Sequence, residues 1–62
     1  MNDTEIELFA LAVKLRMDYL KCNPEVGMGP DIDMVVEWVC EQVGVSLSGL
    51  EESEIKGIVH SL

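Results

Sequence analysis

The chain carries one histidine, His60, and two cysteines, Cys22 and Cys40, and these are its side chains best suited to proton transfer or nucleophilic attack near neutral pH. His60 lies two residues from the end, beside Ser61 and Leu62, where an exposed, frayed position is expected and no triad can be assembled. Cys22 and Cys40 stand 18 apart with no Cys-x-x-Cys pair, so neither a disulfide scaffold nor a zinc knuckle is expected, and both thiols should be reduced and half-buried. Asp31-Ile32-Asp33 lacks the further oxygen ligands and the glycine of a calcium loop. Gly27-Met28-Gly29 follows no strand, which makes it a connector and not a phosphate cradle. A chain of ~60 residues also leaves little room for an internal pocket of even ~300 Å³. The expectation is a protein without catalytic residues, metal ligands or cofactor.

The carboxylates are a different matter. From Cys22 to Ile55 the chain holds Glu25, Asp31, Asp33, Glu37, Glu41, Glu51, Glu52 and Glu54 and not one Lys or Arg. Asp33, Glu37 and Glu41 fall at i, i+4 and i+8, so on a helix they form a ridge with ~6 Å between steps, each step costing ~0.2 to 0.5 kcal/mol in like-charge repulsion. With Glu51, Glu52 and Glu54 they outline an acidic face, read either as a solvated surface or as a docking surface for a basic protein partner.

These residues must be held by three helices. Thr4 and Glu7 have capping-box spacing and open a first helix expected to run from 4 to 21, where Asn23-Pro24 ends it because the residue before a proline avoids helical geometry. Ile6, Phe9, Ala10, Val13, Met17 and Leu20 form one apolar stripe, expected to face the core. Leu8, Leu11, Ala12, Leu15, Tyr19 and Cys22 form a second, separated from the first on one side only by Glu5 and Arg16. A helix apolar on two sides must be covered on two sides, and Leu8, Leu11, Leu15 and Tyr19 are the residues assigned to contact between copies. Residues 23 to 30 hold both prolines and form a connection from which Val26 and Met28 can tuck inward.

Pro30 suits the first position of a second helix, expected over 30 to 43, with Asp31 and Asp33 at the positive end of its dipole and Gly44 as its stop. Ile32, Val35, Val36, Val39 and Val43 make its stripe, with Met34 and Trp38 at the edge; helical period with start and stop signals outweighs the β-propensity of the valines. Ser48 and Glu51 again have capping-box spacing and open a third helix, expected over 49 to 60, with Ile55, Ile58, Val59 and Leu62 as its stripe and a Glu52–Lys56 pair at i,i+4. The run from Cys40 through Gly44-Val45-Ser46 resembles the turn of a helix-turn-helix unit, although the following helix opens with Gly49, Leu50, Glu51, Glu52, Ser53 and Glu54 where a DNA reader needs bases and amides.

The fold expected is therefore all-α: one domain spanning 1 to 62, three compact helices with a helix-turn-helix-like second half, completed by homodimerisation. Composition agrees. The net charge is -8, from 12 acids against 4 bases, which opposes direct binding to nucleic acid or to anionic lipid. No apolar run reaches the ~18 residues of a membrane span, and the acidic start, Met1-Asn2-Asp3-Thr4-Glu5, is unlike a secretory signal, so the expected location is the cytoplasm. Burial and ordering entropy nearly cancel for so short a chain, which again favours self-association. The function read from these features is that of a small non-enzymatic accessory or regulatory protein acting through protein contacts. A nucleic-acid mimic that blocks a DNA- or RNA-handling complex is the second reading; in size and charge alone the chain resembles short acidic accessory proteins of bacteriophages. A DNA-binding helix-turn-helix regulator is the third.

Overall fold

The computed structural model describes residues 1–62 as three α-helices without strands. Helix α1 spans Asp3–Cys22, a single 3₁₀ turn follows at Pro24–Val26, α2 spans Ile32–Val43 and α3 spans Gly49–Ser61. None is long and apolar enough to cross a membrane.

Each boundary has a local cause, and two differ from those expected. The capping box of α1 is made by Asn2 and Glu5, not by Thr4 and Glu7: the Glu5 N–H donates to Asn2 Oδ1 at 2.8 Å and the Asn2 N–H to Glu5 Oε1 at 3.1 Å. Asn caps at least as well as Thr, and the earlier start adds helical residues. Asn23 ends α1, its side-chain amide donating to the Tyr19 carbonyl at 2.8 Å. Pro30 lies before α2 and is not its first residue. Asp31 is the cap instead, its Oδ1 accepting from the N–H groups of Asp33 and Met34 and so satisfying two donors that a proline would leave open. Gly44 closes α2 at φ 72°, a left-handed conformation that costs glycine no Cβ clash, and the N–H groups of Gly44 and Val45 both return to the Cys40 carbonyl. Ser48 and Glu51 form the expected box at the start of α3.

The interior is small. Ten residues are buried: Ile6, Phe9, Ala10, Val13 and Leu20 of α1, Val35, Val36 and Val39 of α2, and Ile55 and Val59 of α3. Helix α1 is the shared support, packing against both α2 and α3. The short β-branched valines of α2 and the small Ala10 allow close approach, while Met17, Met28, Ile32, Trp38, Cys40, Leu47 and Ile58 close the rim. Val26, Val43 and Leu62, expected inward, are exposed: Val26 ends the 3₁₀ turn, while Val43 and Leu62 lie in open grooves beside the outer face of α1 and not in the core. The molecule measures 34 × 24 × 16 Å, so it is little more than one helix diameter thick in its shortest direction. A body that thin has no second layer to lay over the outer side of α1.

Candidate functional site

Two surfaces stand out, one apolar and one acidic. The apolar one is the outer side of α1, where Leu8 is 61% exposed, Leu11 46%, Leu15 62% and Tyr19 47%, with Ala12 and Cys22 exposed between and beyond them. It widens on both flanks. On one side an open groove of about 280 Å³ runs over Met1, Leu8, Ala12, Val43 and Val45; on the other, one of about 340 Å³ lies between Leu11, Ile58 and Leu62. The residues that widen the face, Val43, Val45, Met1 and Leu62, were not legible as such, since a wheel drawn for one helix says nothing of what the ends of its neighbours add.

The acidic surface is a groove of about 440 Å³ between α2 and the turn into α3, lined by Asp33, Val36, Glu37, Cys40, Val45, Ser46, Leu47 and Glu52. The expected ridge is exposed along α2, yet its first member is not without a partner. Lys56 of α3 reaches across to the Asp33 carboxylate and also pairs with Glu52 at 3.2 Å. Bonding to Asp33, then to Glu52, raises the Lys56 pKa above its ordinary 10.5. Glu51 is also held: the Ser48 N–H donates to it and the Met1 ammonium sits 3.1 Å away, which together lower its pKa below 4.5. Of the six carboxylates assigned to the acidic face, Glu37, Glu41 and Glu54 are left without an ion-pair partner, while Asp33, Glu51 and Glu52 are tied within the molecule. The sequence placed Lys56 beside Glu52 but could not place it beside Asp33, 23 residues away on another helix.

The thiols and the histidine are held differently from one another. Cys40 lines the acidic groove half-buried, and desolvation, followed by the charges of Glu52 and Glu37, raises its pKa; a neutral thiol is a poor nucleophile. Cys22 is exposed at the end of α1, not half-buried, because it continues the outer stripe of Leu11, Leu15 and Tyr19, while Leu20 of the same turn faces the core. His60 is exposed in the last turn of α3. No three His, Cys, Asp or Glu side chains converge in a way that could hold a metal ion.

Arg16 is the residue whose role was missed. Its guanidinium lies 4.0 Å from the Trp38 ring centroid and 5.1 Å from that of Tyr19, so α1 and α2 are joined by a stacked cation. Its Nε has no hydrogen-bond partner, and in a chain with 12 carboxylates none pairs with it. In comparisons with known proteins, no family model matches the chain, nor does any curated protein or any solved structure.

Proposed function

We propose that this is a small accessory or regulatory protein that acts without catalysis of its own, by contact with other proteins, and that α1 first joins it to a second copy. The observation carrying this reading is that one helix buries Ile6, Phe9, Ala10, Val13 and Leu20 while leaving Leu8, Leu11, Leu15 and Tyr19 in water. Isolated exposed leucines are common, but three on one stripe flanked by two apolar grooves make a continuous face of the kind that marks association sites. Sedimentation equilibrium at micromolar concentration tests it: a dimer mass is expected for the native chain and a monomer mass for Leu11→Glu. A native monomer across the accessible concentration range refutes the self-association.

The acidic groove supports a second reading, a surface for a basic partner that can act as a mimic of nucleic-acid phosphates. Its support is narrower than the composition suggested, since Lys56 neutralises part of it. Such binding should weaken steeply with salt, whereas association through α1 should not. The helix-turn-helix reading of α2, the Gly44 turn and α3 is the least favoured, because Glu51, Glu52 and Glu54 occupy the start of the helix that would approach DNA. A specific footprint on duplex DNA at ~0.1 M salt would reverse that order.

A further inference from the structure

Given that α1 joins two copies, we infer that it does so antiparallel, with Leu11 of both copies at the two-fold axis and Glu7 of each beside Lys14 of the other. The outer face of α1 follows a 3–4 spacing through Thr4, Leu8, Leu11, Leu15, Asp18 and Cys22, the pattern of a two-helix seam. Charge along the helix is polarised. Asp3, Glu5 and Glu7 occupy its first half, while Lys14, Arg16 and Lys21, three of the chain's four cations, occupy its second.

Parallel pairing would place the two acidic ends together and Asp18 against Asp18 in the seam. It would also set Glu7 opposite Ala12 and Lys14 opposite Tyr19, with no ion pair on either flank. Antiparallel pairing centred on Leu11 reverses each of these. Leu8 meets Leu15, Asp18 meets the Thr4 hydroxyl, and Glu7 comes level with Lys14 on one flank, where Lys14 already holds Asp18 of its own helix at 3.3 Å and would bridge the two carboxylates. On the other flank Glu5 comes level with Arg16, the stacked cation that has no carboxylate of its own. The opposed helix dipoles favour the same direction.

Charge selects the register. A helix of 20 residues is ~30 Å long and ~10 Å across, so two copies approach the ~1,000 Å² of a specific interface only if they overlap along most of their length. Centring on Leu11 overlaps residues 3 to 19. A shift that set Glu7 beside Lys21 would overlap residues 6 to 22, an equal length, but would bring Lys14 against Lys14.

Charge exchange and cross-linking test the arrangement on the full chain. Two Glu7–Lys14 contacts exist per dimer, so Glu7→Lys should weaken self-association about tenfold at low salt. The double variant Glu7→Lys with Lys14→Glu should associate more tightly than Glu7→Lys alone yet short of the native protein, because the pairs between copies are restored with their signs exchanged while the Lys14–Asp18 pair within α1, at 3.3 Å, is replaced by like charges. The Cys22 thiols would lie about 30 Å apart, at opposite ends of the seam, so mild oxidation of the native protein should give no covalent dimer through Cys22. Leu11→Cys should cross-link readily. A dominant Cys22 disulfide, or a double variant weaker than Glu7→Lys alone, would overturn the antiparallel arrangement while leaving self-association intact. A native chain that sediments as a monomer would overturn the self-association itself.

Discussion

The outer side of α1 and the groove between α2 and α3 are both surfaces that sequence composition marks as unusual, and the fold treats them in opposite ways. In the groove, Lys56 answers Asp33 and Glu52 from the same molecule. On α1 nothing answers Leu8, Leu11 and Leu15. The difference is one of range. A surplus charge can be moderated by one flexible cation or by dissolved salt, whereas apolar area leaves water only when another surface covers it. Acidity is therefore a property one chain can tolerate, and the bare face of α1 is the one on which the proposed self-association rests.

The largest expected effect would separate the two sides of α1. Ile55 is fully buried beneath it, and Ile55→Ala should destabilise the fold by ~2 to 5 kcal/mol, measured by urea unfolding. Leu15→Ala, on the outer side, should change the unfolding of the dilute monomer by less than ~0.5 kcal/mol. Comparable losses would mean that both faces belong to the core. Next in size is Gly57→Ala. A Cβ there meets nothing within 4 Å, so the glycine serves no close approach and its replacement should stabilise α3 by about 1 kcal/mol.

Smaller effects belong to the groove. Lys56→Met should lower the melting temperature modestly, and added salt should narrow the gap from the native protein by screening Asp33 and Glu52. Glu37→Lys should act in the other direction, by a few tenths of a kcal/mol, because it places a cation between Asp33 and Glu41. A loss of several kcal/mol from that substitution would show Glu37 to be a structural member of the groove. The smallest effect is a pH dependence. The lowered pKa of Glu51 contributes stability above 4.5 that is lost as pH falls through the folded value. The raised pKa of Lys56 contributes stability below 10.5 that is lost as pH rises through its folded value. The Met1 ammonium, whose pKa the Glu51 hydrogen bond and charge raise above 8.0, contributes stability that is lost as pH rises through its folded value. Stability monitored by circular dichroism should accordingly be flat only between about 4.5 and 8.0 and fall outside that range.

Local signals located the helices well where a backbone need was unique. Gly44 takes the left-handed turn that its position implied, and Ser48 with Glu51 caps α3 as their spacing requires. They misplaced the starts of α1 and α2 where two residues competed for one role. Thr4 and Asn2 can each cap α1, and Pro30 can lead α2 only if Asp31 does not cap it; each choice went to the residue that satisfied more N–H groups or extended the helix.

The amino-acid sequence by itself determined three helices, the stripe of α1 that turns inward, and the excess of carboxylates, because each is a matter of composition or of angle about one helix axis. Only the tertiary structure decided that Lys56 reaches Asp33, that Arg16 stacks on Trp38, and that Val43 and Leu62 lie outside the core. Those outcomes depend on the height and crossing angle at which one helix meets another. Helical periodicity is blind to both, since they are set by how the side chains of packed helices fit between one another, as those around the fully buried Ala10 and Val13 do.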